Sequence, residues 1–340
     1  MARIFTWTGR AGDSGGLSHL MRQFDGYYST VAVANVPMMG GTCLHISLYG
    51  GVKIALPTSS EIYISMLVSP TSITYGQKLL EFCLSTTVLA TVNRKVVYPD
   101  FPSFRGYRGN GTTDVGGGGV FVDSSLYGPY FVEVYYKPHV SSGRLVIKVN
   151  GVTDCDYTGQ TVPASQSTLD TIWVGCGAGA YYTVWHINDI VVDDANWPEV
   201  TTMAVIAPNA VGNKNQWIKS ATSGENYECV DDKIIVSTDY NATNEAAKID
   251  SFGAEPLPSE AAAVKSVNVH AFAVKEGSPT PTTVKPLIRT GSTDYPASTG
   301  KAPGIAMKDI PGIWGQNPYT ASPWEVSEVN AMEIGYKSDT

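Results

Sequence analysis

The amino-acid sequence predicts an all-β protein built from two successive β-sandwich domains, the second the smaller. Three observations lead there. Apolar and polar residues alternate at a period of two wherever a pattern can be read. Only one short segment carries a helical spacing. The chain has 340 residues, with 34 glycines, 19 tyrosines and only 16% charged residues, which exceeds one ordinary core and favours many short strands joined by turns.

The strands follow in order. Across Thr42 to Tyr49, Leu44, Ile46 and Leu48 fall on one face, with Cys43, His45, Ser47 and Tyr49 on the other. Glu61 to Val68 repeats this with Ile62, Ile64, Met66 and Val68. Further strands are expected over Lys78 to Thr86, Val88 to Tyr98, Tyr130 to Lys137, Arg144 to Asn150, Thr171 to Gly175 and Tyr181 to Val192. Asn150-Gly151 marks a tight hairpin, because both residues tolerate positive φ. Gly116 to Gly119 form a loop, since Val120-Phe121-Val122 follows in place of the helix and Lys-Ser/Thr pair that a phosphate cradle needs. One short helix is expected in Ser322 to Met332, where Val326, Val329 and Met332 recur at a spacing of three behind Ser322-Pro323.

After Trp197-Pro198 the composition shifts toward Asp, Asn, Pro and Ala, so the expected division is an N-terminal arm over 1–20, a sandwich over 21–199 and a second domain over 200–340. The formal charge of −8 and the lack of a Lys/Arg cluster at either end argue against a nucleic-acid partner or an anionic membrane surface. No apolar stretch is long enough for a secretory or membrane-spanning segment, so synthesis in the cytoplasm is expected. The five cysteines, Cys43, Cys83, Cys155, Cys176 and Cys229, lack metal-ligand spacing; they read as buried thiols, with one disulfide as the alternative.

Phe24-Asp25-Gly26-Tyr27, Phe131-Val132-Glu133-Val134, Lys148-Val149-Asn150-Gly151-Val152 and Ile187 to Asp194 together resemble the concanavalin-A/laminin-G-like, jelly-roll sandwiches of bacteriophage structural proteins. The second half resembles the β module that follows this sandwich in such proteins. Its marks are Ala207-Pro208-Asn209-Ala210, Gln216-Trp217, Tyr227 to Asp232, Leu287 to Tyr295, Asn317-Pro318, Pro323-Trp324 and Val329 to Gly335. The resemblance implies a virion structural protein without catalysis, on the exterior of the particle and associated with the tail or a fibre. Its partners would be other virion proteins, further copies of itself and host-surface glycans. A head decoration protein or head fibre, and a carbohydrate-binding receptor protein, remain as alternatives.

Glu61, Glu81 and Glu133 each stand alone on their strands, so no carboxylate pair for glycoside hydrolysis is legible, and Glu133 and Asp189 are the first to test for catalysis. The five histidines show no pairing at metal or triad spacing. No cofactor is expected beyond a candidate Ca²⁺ site at Asp189, Asp193 and Asp194, and the competing reading is a polar turn leaving the last strand. Asp231, Asp232 and Asp239 raise the same question in the second domain. Tyr98, Phe101, Phe104, Tyr107 and Arg108, in a stretch broken by Pro and Gly, are candidate ligand-binding residues on an exposed loop. The alternative is that they plug the end of the sandwich or bury against a neighbouring subunit. Phe5 and Trp7 are candidate anchors by which the Gly-rich arm docks on the particle or exchanges between subunits.

Overall fold

The computed structural model describes residues 3–7, 26–27, 31–36, 41–48, 50–70, 77–97, 101–111, 113–117, 129–175, 183–198, 204–220, 223–232, 238–277 and 281–339. Strand is the dominant element among the described residues. Two units part between Met203 and Ala204.

The first unit contains β1 (Arg3–Trp7), β2 (Gly26–Tyr27), β3 (Val31–Val36), β4 (Gly41–Leu48), β5 (Gly51–Ser59), β6 (Ile62–Pro70), β7 (Gln77–Leu84) and β8 (Thr87–Val97). It continues with β9 (Phe101–Arg108), β10 (Thr113–Gly117), β11 (Tyr130–Lys137), β12 (Gly143–Val149), β13 (Val152–Gly159), β14 (Leu169–Gly175) and β15 (Thr183–Asp193). They form two antiparallel sheets. The first runs β13-β12-β11-β6-β15-β4-β3, with β1 added on β15, and the second runs β10-β9-β8-β7-β14-β5-β2.

The alternation read from the sequence sets the core. Leu44, Ile46, Ile62, Ile64, Met66 and Val68 from the first sheet are fully buried, as are Val52, Ile54, Leu80, Phe82, Val92 and Ile172 from the second. Each such side chain contributes about 1.5–3 kcal/mol by leaving water. Aromatic rings join the sheets: Phe82 stacks on Tyr136 with centroids 4.5 Å apart, and Phe104 on Trp185 at 6.2 Å. The Trp185 indole donates to the Lys78 carbonyl at 2.9 Å, which satisfies the one polar atom it brings inside. Asn150 and Gly151 take φ of 50° and 81°, as the hairpin between β12 and β13 requires.

The stretch expected as an exposed loop is strand β9, paired with β8 from Ala90↔Arg108 to Val97↔Phe101. Glycine shapes it. A Cβ on Gly106 would stand 2.0 Å from Leu145 Cδ2, so only glycine lets β9 lie this close to the opposite sheet. Phe104 is 1% exposed and belongs to the core, which corrects its reading as a ligand contact.

The free-arm reading of Phe5 and Trp7 is corrected as well. β4 pairs with Thr183–Ile187 of β15 and stops, and β1 takes over the same ladder from Trp7↔Ile190 to Arg3↔Asp193. Backbone groups that would otherwise lack partners are thereby paired within the chain. Beyond β15, Trp197 packs on Tyr63 and Tyr135 at 5.5 and 6.2 Å, and the Lys148 ammonium sits 3.7 Å above its ring.

The second unit contains β16 (Pro208–Asn215), β17 (Ile218–Lys219), β18 (Asn241–Ala242), β19 (Ile249–Ala254), β20 (Val267–Ala273), β21 (Thr283–Thr290), β22 (Thr293–Pro296), β23 (Lys308–Trp314), α1 (Val326–Ala331) and β24 (Glu333–Asp339). A five-stranded antiparallel sheet, β16-β19-β24-β21-β22, accompanies the ribbons β17-β18 and β20-β23. Its core gathers Val267, Ile288, Trp324, Val329 and Met332. The helix starts later than Ser322-Pro323 implied. Its N-cap is Glu325, in a capping box with Glu328.

Two expectations follow. Phe104→Ala leaves a cavity between the sheets and lowers stability by about 3–5 kcal/mol, measured by denaturant unfolding; a loss below about 1 kcal/mol would return Phe104 to an exposed position. In the second unit, His270 Nδ1 lies 2.8 Å from an Asp309 carboxylate oxygen. Burial alone would lower the imidazole pKa, but the Asp309 charge and hydrogen bond outweigh it and raise it above the usual 6.5. A raised pKa in the folded state stabilises most below the unfolded value and is lost as pH climbs through the folded one. Unfolding of this unit followed from about pH 6 upward should show falling stability, and Asp309→Asn should flatten that slope.

Candidate functional site

Residues in direct register across antiparallel strands point to the same side of a sheet. On the second sheet, the side facing away from the core carries one continuous row. Lys53 pairs with Trp173, Trp173 with Glu81, Glu81 with Thr91, Thr91 with Tyr107 and Tyr107 with Asp114. At the usual strand spacing the row spans about 24 Å. A second row beside it pairs Lys78 with Asn93 and Asn93 with Arg105.

A bulge creates the centre of this face. Between Lys78 and Leu80 the register of β7 slips by one residue, so Leu79 is extra and is buried. Lys78 and Glu81, three apart in sequence, consequently share a side. They form an ion pair with side chains 0% and 1% exposed, and Lys78 Nζ also donates to Asn110 Oδ1 at 2.9 Å. Removing either charge would strand the other, at a cost of about 3–5 kcal/mol.

Thr91 and Asn93 are also buried, at 0% and 5% exposure. Among the described residues, Thr91 Oγ1, Asn93 Oδ1 and Arg105 Nε have no hydrogen-bond partner. Each such atom costs about 1–3 kcal/mol, so three on neighbouring positions call for polar partners. Toward the ends the row opens. Lys53, Trp173, Tyr107 and Arg105 are half-buried, and Asp114 is exposed. Arg105 Nη1 donates to Asp114 Oδ2 at 2.5 Å.

The residues singled out from sequence fall unevenly. Tyr107 stands on this face. Arg108 is in register with Ala90 and so turns toward the core side at the end of β9. Phe101 lies in β9, with its side chain outside the described residues, as is Tyr98 altogether. Asp193 Oδ1 accepts from the backbone amides of Ala195 and Asn196 at 2.9 and 3.0 Å, the work of a turn residue. A bulge lies between Asn188 and Val191, and Asp189 takes φ of 49°, so its spacing of four from Asp193 no longer implies one face. Asp194 follows, half-buried. Among the described residues no three His, Cys, Asp or Glu side chains are grouped to hold a metal ion, neither here nor at Asp231, Asp232 and Asp239.

Glu133 lies on the outer face of the first sheet, in register with Lys148 and Ser65, where burial raises its pKa. The histidines are not all scattered: His45 Nδ1 meets His186 Nε2 at 3.0 Å across β4 and β15, and burial lowers both pKa values. Cys43, Cys83, Cys155 and Cys229 are buried; burial pushes the first two thiols up to about 12 and the third to about 11.

No family model matches the chain, and no curated protein does. Among solved structures it is similar to the alginate lyase Aly36B, at 13% identity and a TM-score of 0.42, covering 58% of this chain and 100% of that one. A sialidase gives 15% and 0.40 over 57% of this chain and 19% of that one. Domain 4 of AbnA, a GH43 extracellular arabinanase from Geobacillus stearothermophilus, gives 11% and 0.36 over 56% and 93%. The expectation that the chain is not an enzyme is withdrawn, since the proteins it is similar to are named as a lyase, a sialidase and part of an arabinanase. The likeness assigns no reaction to it.

Thr91→Val keeps the shape of the side chain and deletes the unpartnered hydroxyl. The free protein should gain about 1 kcal/mol, which calorimetry would register as a rise in Tm of about 2–4 °C. A clear loss would show that the hydroxyl is already satisfied.

Proposed function

We propose that the chain is a glycan-binding protein of a bacteriophage virion, whose first unit engages host-surface polysaccharide through the polar face of its second sheet. The single observation that carries the glycan reading is the set of unpartnered atoms on Thr91, Asn93 and Arg105 beside the rings of Trp173 and Tyr107. Sugars present both things this face asks for. Their hydroxyls donate to an acceptor such as Asn93 Oδ1 and accept from a donor such as Arg105 Nε. Their C–H faces cover aromatic rings, and an in-line row suits a chain of several sugars.

The virion setting rests on the motif resemblance. Placement on the exterior, association with a tail or fibre, assembly with other virion proteins and a homo-oligomeric state belong to the same proposal. Nothing in the row needs a cofactor for binding.

Affinity electrophoresis of the purified chain in gels containing host capsular or cell-wall polysaccharide tests the reading. Retardation is expected, and Trp173→Ala should weaken it about tenfold, since it removes the ring on which a sugar stacks. The polysaccharide is sized afterwards, so that cleavage would register as shortening. Unretarded migration in every polysaccharide, or a Trp173→Ala variant that binds as the parent does, overturns the proposal.

A further inference from the structure

We infer that the sugar taken by this face carries a carboxylate. The inference rests on the glycan reading and adds the charge of the ligand.

The charges along the two rows do not cancel. Glu81 is engaged by Lys78, and Asp114 by Arg105 Nη1 at 2.5 Å. Both carboxylates of the face are therefore already neutralised from within it. Lys53 remains. It is half-buried, in register with Trp173, and has no ion-pair partner among the described residues. Among the described side chains of these two rows, a ligand meets one unpaired ammonium and no unpaired carboxylate.

Arg105, on β9 and four strands from Lys53, adds a second cationic contact about 19 Å further along the face. With Nη1 occupied by Asp114, the buried Nε has no acceptor. Nε and Nη2 form one edge of the guanidinium, and two parallel N–H donors on one edge match the two oxygens of a planar carboxylate. Thr91 Oγ1 and Asn93 Oδ1, on the neighbouring strand, ask for hydroxyl partners at the same time. A group that offers a carboxylate and vicinal hydroxyls together is a sugar acid. The chain as a whole carries −8, so a local excess of positive charge on this face runs against the overall field and concentrates anions there.

Isothermal titration of the full chain with three matched ligands decides the matter: oligomers of a uronic acid, the same oligomers with carboxyls reduced to hydroxymethyl groups, and a sulfated neutral oligosaccharide. The acid should bind about tenfold or more tighter than its reduced form, with an advantage that shrinks as salt rises. Lys53→Gln should cost the acid about tenfold and so close most of that gap, while Lys53→Arg preserves it. Arg105→Gln is the second variant, checked for folding by its melting curve, and Lys53→Gln decides alone if it unfolds. Equal binding of the acid and its reduced form overturns the inference while leaving a glycan site in place. Tighter binding of the sulfated ligand also overturns it, in favour of a general anion site. If none of the three ligands binds, the inference and the glycan reading fall together.

Discussion

The bulge at Leu79 is the feature on which the character of the second sheet depends. A regular strand would send Lys78 and Glu81 to opposite sides, and one of the two would enter the core uncompensated. The extra residue instead buries Leu79 and brings both charges to the outer side, where they neutralise each other. The Lys78 carbonyl, on the same distorted segment, accepts from the Trp185 indole of the opposite sheet. One irregularity thus ties the core aromatics to the polar face.

How much of this was legible in the sequence follows from the physics of strands. Alternation predicted the burial of Leu44 and Ile46 in β4 and of Ile62, Ile64, Met66 and Val68 in β6, because burial of one side imposes a period of two. The Asn150-Gly151 turn was legible because few other dipeptides tolerate two positive φ values. The polar face was not. Glu81 looked isolated, since period-two counting places Lys78 on the other side and nothing in the sequence announces a bulge. Thr91, Asn93 and Arg105 come from β8 and β9 and meet only through register. β9 itself, with Pro102 and Gly106, had the composition of a loop, and its glycine proved to be a packing requirement against Leu145. Trp173 was read as part of a strand but carried no sign of the side it faces.

In the second unit a single carboxylate does comparable organising work. Asp250 is fully buried and accepts from the backbone amides of Gln216 and Trp217 at 2.6 and 2.9 Å and from Asn226 Nδ2 at 2.9 Å. It thereby fixes the end of β16 and the short 3₁₀ turn Asn226–Cys229 onto β19. Glu333 holds the other stretch of β16, through Ser251 Oγ and the Asn213 amide. Polar side chains hold an irregular edge strand where ladder pairing is interrupted between Val211 and Asn215.

The pairing of β1 with β15 bears on how the first unit is made. Within this unit Trp7 is synthesised before, and its partner Ile190 after, nearly all the rest. The ladder joins the first and last strands of the unit, and contacts of such separation are costly in loop entropy before they return anything. Completion of the first sheet is therefore a late event in biogenesis, and until then the free edge of β15 and the waiting N-terminal segment are both open to pairing with other chains.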